Sequence, residues 1–190
     1  MSTQSQGLLR AYALDGKGGG RALGWVEIEA WKAGDGPIWI HLDRNHAGAR
    51  QWIEERAGLD ATVAESLLVE GSRPRTELFD SGLLVFMRGI NHNPGSEPED
   101  MLALRMWVED ERLVSLRVDQ LVTTGEIGKR IEGGHGPRTI PDLLVRIARE
   151  LVDRVGPVID AAEEQVADVE ERSVEDRSTQ LRGELAEIRR

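Results

Sequence analysis

His41 and Asp43 are the first side chains in this sequence whose types could do chemistry together. They flank Leu42 at the end of Ile38-Trp39-Ile40-His41-Leu42, whose β-branched and aromatic residues predict a buried strand. On a strand, residues two apart point to the same side. An imidazole beside a carboxylate can share a metal ion or act as a general base, and His92 could complete the set. The same pair also reads as a strand-end histidine followed by a helix-capping aspartate. The sequence contains no H-x-x-x-H or H-E-x-x-H pattern, which favours that structural reading.

A denser feature lies near the other end. Between Asp160 and Asp176 stand Asp160, Glu163, Glu164, Asp168, Glu170, Glu171, Glu175 and Asp176, with Arg172 the only basic residue among them. Glu164, Asp168 and Glu171 follow at i, i+4 and i+7, one face of a helix, and are the candidate metal ligands. Their hard oxygens suit a hydrated Mg²⁺ better than a tightly held Zn²⁺. The plainer reading is a solvated helix face. Arg73-Pro74-Arg75 could hold an anion or a carboxylate of a neighbouring chain, or be a stiff loop whose arginines answer local acids. The glycine-rich run from Gly16 to Gly20 lacks the G-K-[ST] of a phosphate loop and predicts a flexible turn. Trp25, Trp31, Trp39, Trp52 and Trp107 fall on apolar positions and read as core.

A strand over Leu8–Leu14 precedes the glycine run, and Gly24–Ala33 reads as a short helix from the three-residue spacing of Trp25, Ile28 and Trp31. After the Ile38–Leu42 strand, Asp43 or Asn45 could cap a helix over Ala47–Ala57, and Asp60 a second one ended by Gly71. Thr76–Phe79 and Leu83–Ile90, then Met101–Val108 and Arg112–Val118, predict two hairpins around an acidic Pro/Gly loop at 91–100. A helix over Gln120–Ile131 runs into Gly133-Gly134-His135-Gly136-Pro137. Thr139 can cap the next helix, with Asp142 near its positive end and an apolar stripe from Leu143 to Val155. Gly156-Pro157 should kink or break it. A turn is expected over Glu170–Gln180, and Leu181, Leu185 and Ile188 begin another helix. This order predicts an α+β or α/β layered domain over 1–137, followed over 138–190 by a helical hairpin and the truncated start of a further helix.

Composition narrows the partners. A net charge of −10 argues against nucleic acid, which needs clustered Lys and Arg. The absence of cysteine excludes disulfides and thiolate metal sites and fits a cytosolic address. The longest purely apolar run, Leu83–Met87, falls far short of the ~20 residues of a membrane helix, so a soluble chain is expected.

Several of these segments together resemble the ZntB branch of the CorA-like divalent-cation transporters. They are Trp39-Ile-His-Leu-Asp43, Glu70-Gly-Ser-Arg-Pro-Arg75, Leu83 to Asn93, Pro98 to Val108, Leu113 to Arg117, Gly136-Pro137 with the Leu143-Leu144 helix, and Asp168 to Arg172. The resemblance implies a cytoplasmic α/β/α sandwich with a mixed sheet, projecting helices, and a stalk helix beginning near Leu181. It implies a homopentameric funnel on the cytoplasmic face of the bacterial inner membrane, joined to its own membrane domain. The cargo it implies is Zn²⁺, with Mg²⁺, Ni²⁺ and Co²⁺ as alternatives; no cofactor and no enzymatic activity are expected. In such a ring the Glu164, Asp168 and Glu171 faces would concentrate cations at the pore entrance by electrostatic focusing. The family's G-x-N signature belongs after a membrane span. Gly89-Ile90-Asn91 spells it, but follows a short strand containing Arg88, so the match is coincidental. The competing reading is a soluble metal-binding or metal-dependent hydrolase domain built on His41, Asp43 and His92.

Overall fold

The computed structural model describes residues 6–71, 73–97 and 99–175. The chain divides into two compact units, Met1–Leu151 and Val152–Arg190. In the first, seven strands form one sheet in the order β2-β1-β3-β7-β6-β5-β4. They are β1 (Leu8–Leu14), β2 (Gly20–Ala22), β3 (Ile38–Asp43), β4 (Arg75–Phe79), β5 (Gly82–Gly89), β6 (Leu102–Val108) and β7 (Arg112–Arg117). The sheet is mixed: β3 runs parallel to β7, with Ile38 opposite Arg112 and Asp43 opposite Arg117, while the other neighbours are antiparallel.

Alternation along the strands builds two cores. On one face Ile38, Ile40, Leu42, Leu84, Phe86, Trp107, Val114 and Leu116 meet α1 (Trp25–Ala30), α2 (Ala47–Glu55) and α3 (Ala61–Leu68). On the other, Tyr12, Trp39, Val85, Leu104, Met106 and Leu113 meet α4 (Val122–Glu132) and α5 (Ile140–Asp153). The expected α/β/α sandwich is therefore present. The stripe of α5, Ile140, Leu143, Ile147 and Leu151, lies in the second core, so residues 138–151 pack with the sheet. The second unit contains α6 (Gly156–Glu175). Gly156-Pro157 does break the helix, since α5 ends at Asp153. Residues 170–175, expected to turn, continue α6, where nothing in Glu170-Glu171-Arg172-Ser173-Val174 breaks a helix. The stalk start at Leu181 lies outside the described residues.

Helix ends follow side-chain capping. Asp60 Oδ1 accepts from Thr62 N at 2.8 Å, and Thr139 Oγ1 from Asp142 N at 3.2 Å, both as their residue types predict. At α2 the cap is His46, whose Nδ1 accepts from Gly48 N at 3.1 Å. Asp43 instead closes a turn, its Oδ1 accepting from Asn45 N at 2.9 Å. Aspartate and asparagine both cap well, so the sequence pointed to Asp43 or Asn45 and passed over His46.

The glycine-rich turn at 16–20 is held by its neighbours. Asp15 Oδ1 accepts from Lys17 N (2.7 Å) and Gly19 N (2.9 Å), and these bonds, Lys17 first, hold its carboxyl below the usual range. Gly136 N donates to Gly18 O at 2.6 Å, so the two breaker runs of the sequence lie against each other. A Cβ on Gly136 would sit 2.8 Å from Ile131 Cα and 3.0 Å from Ile131 N, both backbone atoms that cannot step aside. Gly136→Ala should therefore cost about 1–3 kcal/mol in urea unfolding. Gly125→Ala, in α4 with open space around the added methyl, should be neutral or gain up to ~1 kcal/mol. Equal effects at the two positions would contradict this packing.

Candidate functional site

The carboxylates singled out by spacing lie on α6. Asp160, Glu163, Glu164, Asp168, Glu170 and Glu171 are all exposed, and no basic residue interrupts Gly156–Glu171. The helix places Glu164, Asp168 and Glu171 on one side, around the helix from the wholly buried Val169. Among the described residues, no three His, Asp or Glu side chains gather closely enough to hold a metal ion within this chain. Seven-coordinate or octahedral oxygen sites need more ligands than one exposed helix face offers, so any cation here would keep most of its water.

His41 sits elsewhere, in the centre of the first unit. It is 0% exposed, and its register partner on β7 is Ser115, itself wholly buried. His41 Nδ1 lies 2.8 Å from Ser115 Oγ, which also accepts from Trp39 Nε1 at 2.8 Å. The Trp39 and His41 rings are 5.8 Å apart, and Tyr12 lies 6.0 Å beyond Trp39. Burial holds the His41 pKa well below 6.5, and the charges of Arg117 and Arg10 push the same way against the Ser115 bond. A neutral imidazole sealed from solvent, with its ring fixed by a serine, has no route to a substrate. Asp43 is half-buried at the strand end opposite Arg117, and His92 is exposed in the 90–101 loop. The structure does not bring the three together as an open hydrolytic centre.

Arg73-Pro74-Arg75 resolves into separate roles. Arg73 and Pro74 are exposed. Arg75 pairs with Glu77 and lays its guanidinium over the Phe86 ring, 4.2 Å from the centroid. Arg105 approaches the same ring at 5.4 Å. Gly89, the first residue of the G-x-N look-alike, closes β5 where a Cβ would meet Leu151 Cδ2 at 2.6 Å. It is a packing glycine, and no helix among the described residues is long and apolar enough to cross a membrane.

Residues 34–190 match the family model described as CorA-like Mg2+ transporter protein. The chain belongs to the CorA-like transporter family. This family is one of transporters, not of enzymes. The CorA-like chain is 36% identical over 192 residues to a protein named divalent cation transporter CmaX from Pseudomonas aeruginosa, covering 100% of this chain and 58% of that one. It is 32% identical over 187 residues to a zinc transport protein ZntB from Pectobacterium carotovorum, covering 98% and 56%. The solved structure of full-length CmaX superposes with a TM-score of 0.84 at 37% identity, over 93% of this chain and 54% of that chain. The chain thus spans little more than half the length of the relatives it matches.

Proposed function

We propose that this chain is the cytoplasmic domain of a homopentameric divalent-cation transporter of the inner membrane, in which the pore is made by the protein's own membrane helices. The observation that carries the reading is the superposition of 93% of this chain on part of the full-length CmaX structure, at 37% identity. The cargo we assign is Zn²⁺, after the relatives named zinc transport protein ZntB, with Mg²⁺, Ni²⁺ and Co²⁺ as competitors. In this reading the domain does no chemistry on a substrate. It assembles the ring, and the exposed acids of α6, including Glu164, Asp168 and Glu171, raise the local cation concentration at the entrance. Ion binding between subunits would gate the pore by shifting the population of a closed arrangement.

The test is flux. The full gene product in liposomes should take up Zn²⁺, with Mg²⁺, Ni²⁺ and Co²⁺ competing. The triple variant Glu164→Gln, Asp168→Asn, Glu171→Gln should slow initial uptake several-fold at about 0.01 M ionic strength. The loss should shrink near 0.15 M, where the screening length falls from about 30 to about 8 Å. Absence of any divalent flux would overturn the transport reading. A variant as fast as the parent at low salt would remove the vestibule role while leaving transport intact.

A further inference from the structure

Beyond the C-terminus of α3, where β3, β5 and β7 end and β6 begins, four arginines from distant parts of the chain line one small pocket. They are Arg44, Arg88, Arg105 and Arg117, and Gly71, Met101, Ala103, Leu116 and Val118 complete the wall. We propose that this pocket is a binding site for a phosphate-sized oxyanion.

Charge makes the case first. The chain carries ten more acidic than basic residues, yet no carboxylate lines this pocket among the described residues. Burial, then the nearby charges of Arg44 and Arg75, push Arg105 down to about 10, with exposed Glu70 opposing. Arg117 is also lowered, by burial and by Arg10, against Asp43 and Asp119. A bound anion would relieve both.

The hydrogen bonds make it more specific. Arg105 is 3% exposed; its Nη1 donates to Leu67 O (2.8 Å) and to Val69 O. Arg44 Nη1 also donates to Val69 O, at 2.9 Å. These bonds answer the orphan carbonyls at the end of α3 and explain part of the cluster. They leave Arg44 Nε enclosed, with no acceptor among the described residues. Arg88 and Arg117 add two further forks at the same opening. Guanidinium groups match the paired oxygens of phosphate and sulfate.

Volume sets the ligand class. The pocket holds about 170 Å³, some five or six times a water's ~30 Å³ share. That is below the ~300 Å³ at which pockets for whole small molecules begin. A single oxyanion group fits; a nucleoside does not. The site lies wholly in the first unit and does not depend on the transport reading.

The experiment is calorimetric titration of this chain with sodium phosphate at pH 7.5, ionic strength held constant with sodium chloride. Saturable binding at one site per chain is expected, with a rise in thermal midpoint that chloride alone does not give. Arg88→Gln and Arg117→Gln should each weaken binding about tenfold or more, read on variants whose thermal unfolding stays cooperative. Adenosine monophosphate separates the sources. Binding equal to that of phosphate assigns the site to a phosphoryl group presented at its mouth; binding of free phosphate alone assigns it to an inorganic anion. No saturable phosphate binding, or variants that bind as the parent does, would overturn the proposal.

Discussion

Trp39→Ala should lower the unfolding free energy by about 3–5 kcal/mol, a large part of the ~5–15 kcal/mol that holds a typical domain together. Trp39 is 0% exposed and sits mid-strand on β3, the junction between the two halves of the sheet. Its removal opens a cavity beneath Tyr12 and takes one donor from the buried Ser115 Oγ. In thermal unfolding the midpoint should fall by ten degrees or so, taking about 2–4 °C per kcal/mol for a chain of this size. Trp39→Phe separates the two contributions: it keeps most of the packing and loses only the indole N–H. A Trp39→Ala loss below ~1 kcal/mol would mean that the face shared with α4 and α5 is not a tightly packed core.

The second large effect is a dependence on pH. His41 is neutral in the folded chain, with a pKa held well below 6.5 by burial and by Arg117 and Arg10. The unfolded chain titrates near 6.5, so below that pH it binds a proton that the folded chain refuses. Stability is therefore full above pH 6.5 and falls on acidification by up to about 1.4 kcal/mol per pH unit, until the folded pKa is reached. Urea midpoints at pH 7.5, 6.5 and 5.5 should drop accordingly. In His41→Gln, which keeps a polar group near Ser115 without an ionisable one, the slope below 6.5 should flatten by that amount. An unchanged slope would place the titration on other groups.

Much of the fold was legible because its signals are local. The strands from Leu8, Ile38, Thr76, Leu83, Met101 and Arg112 begin within a residue of where they were expected, since alternation and turn residues mark them directly. The short strand Gly20–Ala22 escaped notice because it has three residues and begins on a glycine; only its pairing with Tyr12–Leu14 reveals it. The placement of α5 escaped for a related reason. Its stripe says that it packs, but not against which surface. The arginine pocket was illegible for a stronger reason. Arg44, Arg88, Arg105 and Arg117 have no mutual spacing, and strand order alone brings them together. Conversely, His41 and Asp43 looked like a site because they are close in sequence. Burial, which spacing does not report, makes His41 a structural hydrogen-bonding residue.

The order of strands in the sheet also bears on how the chain is made. β7 is the last strand in sequence and lies near the middle in space, between β3 and β6. Until Arg117 has left the ribosome, only two separate pieces can form, β2-β1-β3 and β6-β5-β4. The rows of β3 and β6 that β7 later covers, buried residues such as Ile40 and Met106 among them, are then raw edges open to pairing with another chain. Joining them requires pairs as distant as Ile38 with Arg112, a closure that comes late and slowly. A ribosome stalled before residue 112 would therefore hold a chain with two sticky borders and nothing between them. The insertion of one six-residue strand turns it into a domain.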